Sequence, residues 1–445
     1  MSPLGYLGAM TGPTVRRSLV ALLALACLAR AEPPAPGTML DADTAASAEG
    51  LLPPEILARY RAGEYRNPVA AWPDGPPWED AFRAASEKNA ARLAVDPKGT
   101  IVEREGGAPA RGVYGLPFAI VPSAPDAGIA VVWNAYYALW RIGSTHDVLG
   151  LQWVGKRGLE RQAVLESHTL YWEGAPPGRA PKDNPQDLAS QQRASVTSPA
   201  DLNGTASLVW RFRGAAQRDQ AWTYVPALRR VRAVTPANRS DGFLGSDLSQ
   251  DDGAFFDGKP EDFTWKLVGR REALVLADPA SLTNAVRRTA RPDGGLSEEW
   301  PAATKVVGHQ DAAWRGVPWA PIGAVRVRRP VWVVEATPRD PYYLFSRIEL
   351  TLDAETFQGV GSRKFDAQGT LLRSLEFLSY ASQPIEVGGE TLRIPAASMG
   401  LVLAENTKAG RATIAGVAAP GDSVHERRVP VDPGLFSLEK LSAGK

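Results

Sequence analysis

The stretch AWTYVPALRRVRAVTPANRSDGFLGSDLSQDDGAFFDG, residues 221–258, places aromatic side chains beside a dense run of arginines and continues into an acidic segment rich in Gly and Ser. Its first part has the pattern of a β-hairpin, because Pro226 separates the strand-like segments QAWTYV and LRRVRAV. The chemistry of the stretch therefore depends on which side chains share a face of that hairpin.

Side chains two residues apart on a strand point to the same side of the sheet. Trp222 and Tyr224 share one face of the first strand, and on the second strand Arg230 and Arg232 point opposite to Arg229. A guanidinium could then stack on the aromatic rings as a cation–π pair. Two interpretations follow: a solvent-facing ladder of charge, or the rim of a cavity where arginines meet a carboxylate or phosphate head group.

Further aromatic residues occupy alternate positions of later strand-like segments, notably Phe263, Trp265 and Trp332. A sheet face with this much aromatic surface needs a cover, either a helix of its own chain or a ligand. The candidate ligand-binding residues are therefore Trp222, Tyr224, Arg229, Arg230, Arg232, Trp265 and Trp332.

The acidic segment offers Asp241, Asp247, Asp251 and Asp252, whose oxygens would suit a hard cation such as calcium. Their spacing does not match an EF-hand loop. Asp and Ser also serve commonly as caps of turns and helix starts. We therefore expect a solvated loop and assign no metal site and no cofactor.

Short β-branched and aromatic segments bounded by turn residues dominate from residue 149 to about residue 380. Asp353 opens a tight turn in DAET, and DAQG at residues 366–369 forms a second one. Three strands joined by two short turns make an antiparallel meander, the kind of unit that rolls into barrels and half-barrels. Helical spacing is found in PPEILARYRAGEY, in WEDAFRAASEKNAARLAV and in AGIAVVWNAYYALWRIG, the last closed by Gly143, whereas YGLPFAIVP is expected to be extended.

The chain has 445 residues, and 50 basic side chains balance 49 acidic ones, which disfavours a nucleic-acid partner. Arg16 and Arg17, an apolar run and a small-residue site at 29–31 predict a signal peptide over residues 1–31, and hence export. The apolar run is too short for a transmembrane span in the mature chain. The only cysteine, Cys27, lies in this segment, so a lipid anchor there is the minority alternative.

The sequence contains few of the motifs that mark a catalytic site. The chain has four histidines, no G-x-S-x-G elbow and no phosphate-binding loop. A hydrolase using His146, His168 or His309 with a distant nucleophile stays open, since such sets are recognised by geometry.

The segments WTYVPALRRVR, SDGFLGSDLSQDD, FDGKPEDFTWKLVGRRE, PVWVVEATP and the DAET…DAQG meander together resemble a family of exported bacterial proteins, domain of unknown function 1329. This resemblance covers about residues 54–380. It implies an α+β fold in which a mostly antiparallel sheet forms an incomplete LolA/LolB-like β-barrel with helices covering the open side, and it implies a protein without enzymatic activity. The long loop between Trp172 and Thr197 and the Pro-rich start depart from the family pattern.

The expected organisation is a signal peptide (1–31), a Pro/Gly-rich segment with a short helix (32–78), a ligand-binding domain (79–410) and a loosely ordered C-terminal tail (411–445). The expected function is that of a periplasmic carrier or chaperone for a hydrophobic, lipid-like ligand, serving outer-membrane transport or lipoprotein sorting. An outer-membrane protein or an exporter is the expected partner. A structural partner of an outer-membrane or export complex is the main alternative.

Overall fold

The computed structural model describes residues 32–123, 125–179, 183–301, 305–395, 400–416 and 424–443. The predicted signal peptide and Cys27 lie outside these residues. The helices of the described part are α1 (Pro54–Arg61), α2 (Asp80–Arg92), α3 (Ala127–Trp140), α4 (Pro279–Leu282) and α5 (Leu438–Ala443). Its strands are β1 (Met39–Leu40), β2 (Asn67–Ala70), β3 (Leu93–Val95), β4 (Ile101–Glu103), β5 (Thr145–Gly155), β6 (Gly158–Tyr171), β7 (Leu188–Ser198), β8 (Ala206–Phe212), β9 (Gln220–Val225), β10 (Arg230–Val234), β11 (Phe263–Ala277), β12 (Arg287–Ala290), β13 (Leu296–Glu299), β14 (Val325–Pro338), β15 (Arg347–Asp353), β16 (Gly359–Phe365), β17 (Leu371–Phe377), β18 (Ser382–Val387), β19 (Glu390–Pro395), β20 (Val402–Asn406), β21 (Arg411–Ala415) and β22 (Val424–Arg427).

One large sheet organises the molecule. Its antiparallel neighbours run in the order β10-β9-β8-β7-β6-β5-β21-β20-β17-β16-β15-β14-β11. Within the described residues the two end strands, β10 and β11, do not pair with each other, and the chain crosses between them through residues 235–262. The sheet is therefore open, and the expected α+β fold with an incomplete antiparallel barrel is confirmed.

Helix α3 lies on the inner face of this sheet, which we define as the face that contacts the helix. Apolar residues surround the helix, and 12 of its 14 residues are buried, so it belongs to the core and not to the surface. Gly128 lets β11 approach closely, because a Cβ there would lie 3.0 Å from the Leu267 nitrogen. Buried Asn134 bonds both backbone groups of Phe118, which fixes the segment YGLPFAIVP as irregular backbone without a strand.

The opposite, outer face is covered by the segment with α1 and by residues 305–324. Buried polar bonds hold α1 there: the Arg326 guanidinium donates to the Tyr60 hydroxyl (2.8 Å) and to Glu376 (2.6 Å). Arg363 of β16 pairs with Glu55 of α1 at 2.9 Å. The predicted short helix of the N-terminal segment is thus packed on the sheet.

Both predicted turns of the meander are present. The Asp353 carboxylate accepts bonds from the backbone of Glu355 and Thr356, and Asp366 accepts from Gln368 and Thr370. These bonds close the β15–β16 and β16–β17 hairpins.

The expectation of a loosely ordered C-terminal tail is wrong for the described residues beyond 410. Strand β21 pairs with β20 and β5, and β22 pairs with β5 and β13. Phe436 and Leu441 are fully buried against β8 and its neighbours. The segment is rich in polar and charged residues, so its composition does not reveal these apolar contacts. They are made with strands more than 200 residues earlier in the chain.

Candidate functional site

The arginines of the quoted stretch lie on the surface. Arg229, Arg230 and Arg232 are exposed at the edge of the sheet. In the β9–β10 register Trp222 lies opposite Ala233, and Tyr224 lies opposite Val231, so Arg230 and Arg232 occupy the other face. The expected stacking of these guanidinium groups on the two rings is therefore wrong.

Trp222 and Tyr224 are partly buried in a cluster formed by β8, β9 and the C-terminal segment. The Trp222 ring meets Trp210 edge to face at 5.2 Å, and the Trp210 indole donates to the Phe436 carbonyl at 2.9 Å. The cover of this aromatic face is thus a helical segment of the same chain, the first of the two covers that the sequence suggested.

Trp265 and Trp332 lie elsewhere, in the core around α3. The Trp265 ring packs against Phe256 and Phe263, and its indole donates to the Pro260 carbonyl at 2.7 Å. The seven candidate residues therefore fall into two separate groups. Their role in ligand binding stays a prediction.

The acidic loop, residues 239–262, crosses the inner face of the sheet, and the expectation that it is solvated is wrong. Of the four predicted carboxylates, only Asp241 is exposed. Asp247 bonds Asn406 and Arg411, and Asp252 pairs with the ammonium of Lys364 while capping Ser249. Cationic side chains from distant strands thus occupy oxygens of Asp247 and Asp252 that calcium would need.

A second group of buried ion pairs fixes the other half of the loop. Arg239 pairs with Asp251 at 2.6 Å, and Arg211 of β8 pairs with Asp257 at 3.0 Å. The Tyr136 hydroxyl of α3 donates to the Gly258 carbonyl at 2.7 Å. These bonds hold Phe255 and Phe256 against the helix, so the loop forms one wall of the interior.

A small apolar cavity of about 90 Å³ lies between α3, the acidic loop and the sheet. Its lining includes Ala135 and Leu139 of α3, Phe255 of the loop, Leu350 of β15 and Phe377 of β17. The cavity is far below the roughly 300–1,000 Å³ typical of pockets that enclose a small-molecule ligand.

A much larger cleft of about 1,130 Å³, lined by both charged and apolar side chains, lies between α2 and the β18–β19 hairpin. Five cationic side chains and three carboxylates line it, so positive charge is in excess: Lys88, Arg141, Arg179, Arg393 and Arg428 against Glu79, Asp80 and Glu390. The cleft has room for a whole head group and for part of an alkyl chain.

The cavity and the cleft share a wall made by Trp78 and Arg141. The Arg141 guanidinium lies 4.6 Å from the Trp78 ring centre, pairs with Glu79 at 2.9 Å and donates to the Arg393 carbonyl. Burial lowers the pKa of Arg141. A ligand passing from the cleft into the cavity would have to displace this contact.

Arg428 faces the cleft without a partner for its Nε among the described residues. Only 7% of the Arg428 surface is exposed to solvent. Burial and the nearby charge of Arg179 lower its pKa, and the carboxylates of Glu390 and Glu79 offset only part of this effect. A buried guanidinium next to a second cation is a costly arrangement that a bound anion would relieve further.

The four histidines do not form one cluster. His146 of β5 and His168 of β6 stack at 4.3 Å on the sheet, whereas His309 lies beside Gln152. His425 contacts buried Asp147.

Sequence reasoning missed Trp78, Arg141, Arg179 and Arg428 as site residues. Arg141 directly follows the apolar segment AYYALW. A charged residue at the end of so apolar a helix could have indicated a buried ion pair or a site residue. Arg428 gives no such signal, because the composition of its segment predicts a loosely ordered tail.

No helix in the part of the chain that the structure describes combines the length and hydropathy of a membrane span. The fold and the site define an α+β protein with an open antiparallel half-barrel around a buried helix. The chain belongs to the family described as protein of unknown function DUF1329, whose model matches residues 39–426.

Solved structures similar to the chain include three bacterial proteins. An outer membrane lipoprotein-sorting protein domain from Vibrio parahaemolyticus has 14% identity and a TM-score of 0.44, over 71% of this chain and 98% of that one. A DUF1329 family protein from Desulfovibrio piger has 16% identity and a TM-score of 0.42, over 69% and 97%. A LolA superfamily protein from Nitrosomonas europaea has 12% identity and a TM-score of 0.36, over 69% and 96%. No curated protein matches the chain significantly.

Proposed function

We propose that this protein is a non-enzymatic periplasmic carrier of an anionic amphiphile, with the head group in the cleft beside Arg428 and the alkyl chain directed toward the apolar cavity. The observation that carries the proposal is the buried Arg428, without a partner for its Nε among the described residues, in a cleft that adjoins an apolar interior. The signal peptide predicted over residues 1–31 supports the periplasmic setting.

The cationic side chains of the cleft support the proposed binding of the head group. Arg179 and Arg428 are close enough for their charges to interact, and both line the cleft. A carboxylate or phosphate between them would accept charge-assisted hydrogen bonds and remove the repulsion. Lys88 and Arg393 would add to the field of the same cleft.

The apolar surface of the cavity supports the proposed binding of the alkyl chain, but the protein must move to admit it. Since the cavity holds about 90 Å³, an alkyl chain enters only when the Trp78–Arg141 contact opens. Burial of the alkyl chain supplies about 25 cal/mol per Å² toward that opening. The ligand-bound state is therefore expected to differ from this one in the position of α2.

Binding of a long-chain fluorescent fatty acid tests the proposal. Arg428→Gln and Arg179→Gln are each expected to weaken binding about tenfold or more, because each removes one charge-assisted contact with the carboxylate. The matched controls Arg230→Gln and Arg232→Gln replace exposed arginines outside the cleft and should bind as the wild type does. Equal binding by all five proteins would contradict the head-group role, and a loss confined to Arg230 and Arg232 would move the site to the β9–β10 edge.

The structural-partner function is the second candidate. The small volume of the cavity, which the chain's own Phe255 and Phe256 help to fill, favours it. A protein of this kind would take up no acyl probe and would co-purify with a membrane protein.

A further inference from the structure

Four side chains form a row across neighbouring strands of the sheet, away from the cavity and the cleft. In the strand register His168 of β6 lies directly opposite His146 of β5, and His146 lies opposite Glu426 of β22. Arg193 of β7 extends the row beyond His168. Glu166, two residues from His168 on β6, shares the face.

The ring nitrogens of the two histidines converge on one carboxylate. His146 Nε2 lies 3.0 Å from Glu166 Oε1, and His168 Nε2 lies 3.5 Å from the same oxygen. The rings are parallel, with their centres 4.3 Å apart. The ligand atoms of His146, Glu166 and His168 all lie within 4.8 Å of one another.

We propose that His146, His168 and Glu166 bind a divalent transition-metal ion, with zinc as the representative. Two imidazole nitrogens and one carboxylate are a donor set that zinc accepts, with a fourth position left to water. Each histidine side chain is about one-fifth exposed, so an ion can reach the site from solvent.

The surroundings of His146 match those of a metal ligand. Its Nδ1 lies 2.9 Å from Glu426 Oε2, the carboxylate–histidine contact that commonly orients a metal-bound imidazole. Its other ring nitrogen, Nε2, faces Glu166 Oε1 and is the atom that would coordinate the ion. Arg291 orients Glu426 from the other side.

The charges around the two histidines are balanced. The charges facing the pair are Glu166 on β6, Glu426 on β22, Arg193 on β7 and Arg291 before β13. The two carboxylates offset the two guanidinium groups, so the ion is not excluded by net charge.

Calorimetric titration of the tag-free, chelator-stripped protein with Zn²⁺ tests the proposal. We expect one ion per chain, at least about a hundredfold weaker binding in His146→Ala and His168→Ala, and about tenfold weaker binding in Glu426→Gln, which removes only the orienting carboxylate. Urea unfolding without metal should give the same midpoint for these variants as for the wild type, which separates lost ligation from lost fold.

His309→Ala is the matched control, because this partly buried histidine contacts the neutral Gln152 and lies outside the row. It should bind Zn²⁺ as the wild type does. The proposal is overturned if the wild type takes up no Zn²⁺, if the His146 and His168 variants keep its affinity, or if His309→Ala loses as much. Failure here would leave the carrier function untouched, since the two sites share no residue.

Discussion

Replacing Lys364 with methionine is expected to lower the free energy of unfolding by about 3–5 kcal/mol, because the carboxylate of Asp252 would lose its buried counter-charge. Both side chains are 2% exposed, and the Lys364 ammonium also lies 3.2 Å from the Ser249 hydroxyl. Urea unfolding at pH 7 measures the change. This pair joins β16 to the acidic loop, so the same variant should loosen the cavity wall that carries Phe255.

The double variant Lys364→Met/Asp252→Asn removes both charges and retains an oxygen to cap Ser249. It should recover more than half of the lost stability, since the penalty comes from the unpaired charge and not from the lost pair. Lys266→Met replaces an exposed lysine of β11 and should change stability by about 0.5 kcal/mol at most. A Lys364→Met protein as stable as the wild type would mean that the loop is not held as described.

Replacing Glu261 with glutamine is expected to stabilise the protein progressively as the pH rises. Burial raises the pKa of Glu261 to about 7, and its Oε2 has no hydrogen-bond partner in the described structure. Between the unfolded pKa, near 4.5, and about 7 the folded protein binds more protons than the unfolded chain, so this residue costs stability as the pH increases. Glutamine removes that cost.

The stability difference between Glu261→Gln and the wild type should grow by about 2 kcal/mol between pH 5 and pH 8. Urea unfolding at both pH values measures it. Glu298, whose pKa burial also raises to about 7, is present in both proteins and cancels in the comparison. Glu103→Gln is the control, because Arg92 lowers the pKa of this exposed carboxylate and its loss cannot bring stability at high pH. A difference that is flat with pH would place the pKa of Glu261 near its ordinary value.

The local elements of this fold could be predicted from the sequence. The helices α1, α2 and α3 follow from apolar spacing. Asp353 and Asp366 mark the two turns of the β15–β17 meander, because each carboxylate bonds backbone groups only two to four residues away. The family resemblance then supplied the open antiparallel barrel. Each of these inferences depended on contacts that are close in sequence or on a pattern shared by the whole family.

The faces of the β9–β10 hairpin could not be predicted in the same way. They depend on the number of residues in the turn, and the four residues from Pro226 to Arg229 pair Val225 with Arg230. A turn with one residue more or fewer would have placed Trp222 and Arg232 on the same face. Composition and periodicity do not determine that count.

The polar contacts of the interior also could not be predicted from the sequence. Asp252 and Lys364 are 112 residues apart, and Arg141 meets the Arg393 carbonyl across 252 residues. A loop rich in Asp, Gly and Ser has the composition of a solvated turn, and only the positions of the distant cations show that it is buried. The same holds for Arg428, which becomes a site residue only through its place beside the cleft.

Native mass spectrometry of the protein purified from periplasm, followed by solvent extraction of what it carries, tests the carrier function most directly. We predict one anionic amphiphile per chain in the wild-type protein and its loss from the Arg179→Gln/Arg428→Gln double variant. A protein that is empty as isolated, and that takes up no fatty-acyl probe afterwards, would contradict the carrier function and favour the structural partner of a membrane complex.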